Sequence, residues 1–174
     1  MVASLLLAFC RLVLGFVFTL SLIGKLRNIQ AFRQTILTFR LLPDQFVGGA
    51  TYLFLGSELL VVLGSILGNR FLFPTFLLAA LLLLLFSGAM ASVLVRQIRT
   101  SCNCFGKSDK PVAVTDLWRN GGLLCCALGG GVLLFWSPQG HDQLTIMAWF
   151  LAGAAALVFV AFWLYLGDLV ALFQ

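Results

Sequence analysis

Residues 72–95 read LFPTFLLAALLLLLFSGAMASVLV and contain no charged side chain. An α-helix rises about 1.5 Å per residue, so roughly 20 apolar residues cross the hydrocarbon core of a bilayer. Within lipid, a helix also satisfies its own backbone hydrogen bonds. This stretch therefore predicts a membrane-spanning helix.

The rest of the chain has the same character. Of its 174 residues, 61% are hydrophobic and only 10% are charged, which excludes an ordinary soluble domain. No alternating strand pattern indicates a barrel. The predicted fold is an all-α, polytopic membrane bundle of four to five transmembrane helices in a single domain, residues 1–174. The other predicted spans are residues 3–24, 46–67, 118–136 and 144–167.

The N-terminal stretch is expected to be a retained first helix. It has no basic start, Arg11 interrupts it, and no small-residue cleavage site follows it, unlike a signal peptide. The segment after it, about 26–41, repeats apolar residues at helical spacing with arginines between them. This pattern predicts an interfacial amphipathic helix, and the alternative is an ordinary basic helix packed on the bundle. Its apolar positions are Leu26, Ile29, Phe32, Ile36 and Phe39.

Positive charge is unevenly divided between the two sides of the predicted bundle. One side carries nine basic residues and the other carries only Arg70. Cytoplasmic loops retain Lys and Arg, so the N-terminus is predicted outside and loop 96–117 on the cytoplasmic side of a prokaryotic plasma membrane. In such a protein the net charge of +5 does not indicate nucleic acid. The nine are Lys25, Arg27, Arg33, Arg40, Arg96, Arg99, Lys107, Lys110 and Arg119.

Two ionisable residues fall deep inside predicted spans. Arg11 and Glu58 lie at similar counted depths on adjacent antiparallel spans, and a lone charge there costs at least about 2.5–3.5 kcal/mol. They are therefore predicted to pair inside the bundle. The pair either fixes helix register or serves as a proton relay or a polar pocket for a quinone. Lys25 and Arg119, near helix ends, are expected to reach water as anchors.

The predicted loop 96–117 is expected to be exposed to water, and it contains Cys102 and Cys104, which are separated by one residue. A Cys-x-Cys disulfide closes a small, strained ring, which makes it exchangeable. The basic residues Arg99, Lys107 and Lys110 favour the thiolate. The pair is therefore predicted to carry thiol–disulfide chemistry.

The remaining cysteines lie in predicted helices. Cys10 is interpreted as a small core residue. Adjacent helical residues point about 100° apart, so at most one of Cys125 and Cys126 faces the interior, as a candidate relay. A soft-metal site is an alternative, although the only histidine, His141, is predicted on the opposite side. Loop cysteines that merely pack are the third interpretation.

The Cys102-Asn103-Cys104-Phe105-Gly106 stretch resembles the Cys-x-Cys-Phe-Gly motif of MauE-type proteins in the MauE/DoxX group. The resemblance covers roughly residues 5–135. Other residues agree with it in order, including the intramembrane Glu58 and Arg119-Asn120, which are expected to position the cysteine loop. The remaining agreements are Arg11, Gly15, Lys25 and Leu42-Pro43.

The resemblance implies a helical bundle with a role in disulfide formation or maturation of exported proteins, alongside thioredoxin-like partners. The group is similar in layout to vitamin K epoxide reductase and DsbB, which pass electrons between thiols and quinone. The leading hypothesis is a thiol–disulfide redox protein, with quinone as the only candidate cofactor. The alternatives are a soft-metal transporter using the same cysteines and a non-catalytic subunit of a larger membrane complex.

The charge distribution makes a direct topological prediction. Five spans with the N-terminus outside place Gln174 in the cytoplasm, on the same side as Cys102 and Cys104. A reporter that is active only in the cytoplasm should be active when fused after Gln174. Activity of a reporter specific for the extracytoplasmic side would reverse this topology.

Overall fold

A computed structural model describes residues 2–39, 43–97, 113–136 and 145–172 of the chain, the last of these with side chains through residue 163. Within these ranges the chain forms six helices and no strand. The helices are α1 (Val2–Arg27), α2 (Ile29–Phe39), α3 (Asp44–Leu67), α4 (Asn69–Val95), α5 (Val114–Trp136) and α6 (Ile146–Leu172).

Five of these helices, all except α2, are long and apolar enough to cross a membrane. The predicted all-α membrane bundle is therefore confirmed. The protein is an integral membrane protein, and its helices imply a surrounding lipid bilayer. Large apolar side chains such as Leu53, Ile66 and Phe135 are more than two-thirds exposed on the bundle surface. In water such a surface would be unfavourable, whereas in lipid it is the expected one.

The first helix lies at the centre of the bundle. It packs against α3, α5 and α6, while α4 packs against α3 and α5. The buried core forms where these helices meet, with Val13 and Leu14 from α1, Val61 from α3 and Leu123 from α5. Residues of α1 therefore contact most of the other helices.

The amphipathic segment does form a helix, but part of its apolar side faces the protein. Phe32 and Phe39 of α2 are buried, whereas Arg33 is exposed. Helix α2 contacts α1, α3 and α4. The structure thus shows a basic helix packed on the bundle, and its interfacial position is still a prediction. It begins at Ile29, because the preceding residues extend α1 through Arg27.

Two helix boundaries reflect local chemistry. Gly68 alone separates α3 from α4 and has a φ of 90°, a backbone conformation that L side chains rarely adopt. Helix α5 begins at Val114, earlier than the predicted residue 118, since the Asp116 carboxylate accepts a hydrogen bond of 3.0 Å from the Ala113 N–H. This contact satisfies a donor at the start of the helix.

Candidate functional site

The most deeply buried charges form an ion pair between α1 and α3. The Lys25 ammonium donates a hydrogen bond to Glu58 Oε1, and both residues are only 1% exposed. Ser21 Oγ donates to the same carboxylate oxygen over 3.2 Å. Because Ser21 and Lys25 are four residues apart on α1, they present both donors on one helix face.

The predicted partner of Glu58 was wrong. Arg11 does not reach Glu58: its Nε donates to the Ser65 carbonyl over 2.7 Å, and its Nη2 donates to the Ile66 carbonyl over 3.3 Å. These are among the last carbonyls of α3, which have no partner within the helix. The guanidinium also lies 5.4 Å from the centre of the Trp149 ring. Arg11 therefore caps α3 and contacts α6.

The error lies in the axial register of the two helices. The sequence estimate counted depth from helix ends at a common surface. Instead, Arg11 lies level with Ser65 rather than Glu58, about 10 Å farther along α3. The N-terminal end of α1 therefore extends beyond the C-terminal end of α3. The C-terminal end of α1, with Lys25, lies beside Glu58. For the same reason, Lys25 is buried and does not reach water as predicted.

Aromatic rings enclose the ammonium group. Lys25 Nζ lies 4.3 Å from the centre of the Phe86 ring on α4 and 4.8 Å from that of Phe32 on α2. Cation–π attraction strengthens when the cation is desolvated, so both rings stabilise the buried charge. Helix α2 thus closes the site over Lys25.

A small cavity adjoins the ion pair, and both polar and apolar side chains line it. It has a volume of about 40 Å³, and its lining includes Lys25, Glu58, Phe86 and Asn120. The second oxygen of Glu58, Oε2, has no hydrogen-bond partner among the described residues. Buried carboxylate oxygens normally accept hydrogen bonds, and this cavity is large enough for water-sized donors.

The cavity does not fit a quinone head group. Its polar lining could bind a carbonyl, but an apolar cavity that holds benzene has a volume of about 150 Å³. The space beside Glu58 is much smaller, at about 40 Å³. What the site can accommodate is a water-sized molecule beside the Glu58 carboxylate.

The first turns of α5 border the same cavity. Arg119 and Asn120 both line it. Asn120 Nδ2 donates to Ser87 Oγ on α4 over 3.3 Å, and the Arg119 carbonyl accepts a 2.9 Å hydrogen bond from Trp163 Nε1 on α6. A Cβ atom at Gly122 would clash with the Trp163 ring, so glycine permits this close approach. These contacts hold the start of α5 against two helices.

The Arg119 side chain also contacts the first turn of α5. Its Nη2 lies 3.2 Å from the Asp116 carboxylate, and its head is mostly buried rather than extended into water as predicted. The segment that carries Cys102 and Cys104 lies outside the described residues. The predicted loop-positioning role of Arg119 and Asn120 is therefore still a prediction.

The other cysteines occupy different environments. Cys10 is buried in the core between helices, and Cys126 packs against that core from α5. Cys125 is exposed on the lipid-facing surface. Among the described residues, no three His, Cys, Asp or Glu side chains lie close enough to share a metal ion.

The sequence analysis missed the buried role of Lys25, although a signal was present. Phe18, Ser21 and Lys25 follow one another at spacings of three and four residues on α1, which places them on one helix face. Phe18 is buried in the core, so this face points into the bundle. The position of Lys25 near a helix end favoured an anchoring role instead.

A comparison with protein families identifies the chain. The sequence profile described as methylamine utilisation protein MauE matches residues 3–137, about three quarters of the chain. The chain belongs to the MauE family. The matched residues of this MauE-family protein include α1 to α5. They therefore include the ion pair, the residues that line the cavity and the segment with Cys102 and Cys104. No curated protein and no solved structure matches the chain significantly.

Removing one member of the ion pair should destabilise this MauE-family protein. Lys25→Met leaves the Glu58 carboxylate buried without its cation, at a cost of about 3–5 kcal/mol in the free energy of unfolding. The double variant Lys25→Met/Glu58→Gln carries no buried charge and should recover most of that loss. Thermal unfolding in detergent, followed by circular dichroism, measures the difference.

Arg33→Met provides the matched control, because it removes an exposed cation from α2. This variant should unfold close to the wild-type temperature. Equal losses for Lys25→Met and Arg33→Met would show that the ion pair does not stabilise the fold.

Proposed function

We propose that this MauE-family protein is a membrane thiol–disulfide redox protein that exchanges disulfides through Cys102 and Cys104. Its partner is a protein whose cysteines must be oxidised during maturation, and the family description indicates a protein of methylamine utilisation. The proposed membrane is the plasma membrane of a prokaryote, with the cysteine loop on the basic side.

The proposal rests on the position of the cavity beside Lys25 and Glu58. Residues 98–112, which include both cysteines, connect the end of α4 to the start of α5. The cavity is lined by Met90 of α4 and Asn120 of α5, each within about two helical turns of those ends. The described helix ends that flank this segment therefore lie at the same end of the bundle as the buried charges.

The exchange reaction balances without a resident cofactor. A thiolate of the partner attacks one sulfur of the Cys102–Cys104 disulfide and forms a mixed disulfide. The second partner thiol then attacks this bond. The partner gains a disulfide, and the two loop cysteines gain two electrons and two protons. The loop dithiol returns to the disulfide by the same exchange with the disulfide of an oxidised thioredoxin-like protein, which becomes a dithiol. The neighbouring Arg99, Lys107 and Lys110 favour the thiolate form of the loop cysteines, which leaves in the first exchange and attacks in the second.

Glu58 supplies the proton chemistry in this proposal. Oxidation of the loop dithiol releases two protons. A carboxylate beside a cavity that admits water can accept a proton from this end of the bundle, and Lys25 and Ser21 hold it in place. In this proposal the Glu58 carboxylate transfers protons in addition to fixing the helix register.

Thiol trapping tests the proposed exchange. In sealed vesicles, a membrane-impermeant maleimide should label Cys102 and Cys104 after reductant and leave them unlabelled after oxidant. Cys104→Ser should leave Cys102 labelled under both conditions, because no partner remains to close the ring. Cys125→Ser should behave like the wild type, since its side chain faces lipid.

The same experiment separates the alternatives. Loop thiols that never change state would contradict the redox function. Stoichiometric binding of a thiophilic metal that is lost in Cys102→Ser and Cys104→Ser, without any change in thiol state, would favour soft-metal transport instead.

A further inference from the structure

The cavity beside the ion pair lies between α1, α3, α4 and α5, and it has a polar end and an apolar end. On α1, Lys25 lines it near the end of the helix, whereas Val17 lines it about two turns deeper. On α5, Asn120 lines it nearer the start of the helix than Leu123 does. The polar end therefore points to the end of the bundle where α4 ends and α5 begins.

Glu58 presents an unsatisfied acceptor to this space. The residue is 1% exposed, and its Oε1 accepts hydrogen bonds from Lys25 and Ser21, whereas Oε2 has no partner among the described residues. One buried water needs roughly 10–15 Å³ of such a cavity and typically makes about three hydrogen bonds. The volume of about 40 Å³ therefore has room for about two or three waters beside Oε2.

The Asn120 side chain supplies hydrogen-bonding groups on the α5 side of the same space. Its amide nitrogen carries two N–H groups and donates to Ser87 Oγ over 3.3 Å. A side-chain amide can use its second N–H and its oxygen to bind water, and Asn120 lines the cavity where that water would lie. Water in the cavity can therefore bond to both Glu58 of α3 and Asn120 of α5.

We propose that ordered water joins Glu58 Oε2 to the Asn120 amide, and that Asn120 positions this water for proton transfer. The inference rests on the proton role proposed for Glu58 and adds the residue that controls the route. As one water gives a proton to Oε2, it takes a proton from the next water toward α5. One proton moves, Glu58 becomes neutral, and the Lys25 ammonium keeps its charge.

The apolar end of the cavity gives this route a direction. Val17 and Leu123 are 5% and 2% exposed, and both belong to the buried apolar core. Aliphatic side chains offer water no hydrogen bond, so they close the cavity toward the middle of the bundle. Glu58 therefore exchanges protons with the end of the bundle where α4 ends and α5 begins, and not across the membrane.

Radical labelling of Met90 tests for water in the full-length protein. Met90 lines the cavity and is only 3% exposed. Hydroxyl radicals, which X-rays form from water, oxidise methionine to the sulfoxide and react before they diffuse far. The protein in lipid nanodiscs receives a short X-ray pulse, and the fraction of Met90 that gains one oxygen is measured after digestion. Met90 of the wild type should be labelled despite its burial, and its absence from the labelled residues would overturn the inference.

Substitutions at Asn120 test its part in holding the water. Asn120→Leu has a similar size but no hydrogen-bonding group, so it should lower the labelling of Met90 by at least about fivefold. Asn120→Ser retains a hydroxyl and should be labelled within about twofold of the wild type. Gln34→Leu is the matched control, because it removes an exposed amide from α2 and should leave the labelling unchanged. Wild-type labelling in Asn120→Leu would contradict the role of Asn120.

Ser87→Ala separates water positioning from helix packing, because it removes the contact of Asn120 with α4 and retains the amide. Asn120→Leu should slow re-formation of the Cys102–Cys104 disulfide by an added oxidant about tenfold, and Ser87→Ala should slow it less than about twofold. Equal slowing would show that Asn120 only packs the helices. Labelling of Met90 requires no cysteine, so its result is independent of the exchange proposed for the loop. It also requires no substitution, so the wild type tests the water even if Asn120→Leu does not fold.

Discussion

The buried ion pair between Lys25 and Glu58 determines how the helices must be arranged. Neither charge is tolerable in lipid alone, so α1 and α3 must adopt the register that joins them. The ammonium group also requires Phe86 from α4 and Phe32 from α2. One interaction therefore links four helices, and it explains why a short basic helix packs on the bundle.

The same pair places two buried charges at the end of the bundle where α4 ends and α5 begins. Carboxylate, ammonium, hydroxyl and amide groups meet beside a cavity of about 40 Å³, while the surrounding core is apolar. Glu58 Oε2 has no partner among the described residues, and the cavity beside it is large enough for water. This arrangement supports the proton role proposed for Glu58.

Much of the fold could be predicted from the sequence, because the apolar runs have the length that a bilayer requires. The span predicted from residues 72–95 matches α4 (Asn69–Val95) apart from the first turn of the helix. Axial register could not be predicted in this way, since it depends on which side chains meet. Counting depth from helix ends therefore paired Glu58 with Arg11, while the true partner, Lys25, was assigned to the membrane surface.

Glu58 and Lys25 are proposed to support the chemistry of the cysteine loop. The most direct test is the rate at which an added oxidant re-forms the Cys102–Cys104 disulfide after reduction, in protein whose other cysteines are Ser. We predict that Lys25→Met/Glu58→Gln, which avoids an unpaired buried charge, slows closure by at least about tenfold. Asp44→Asn, which removes an exposed carboxylate at the start of α3, should not change the rate. An unchanged rate in the folded double variant would contradict the account.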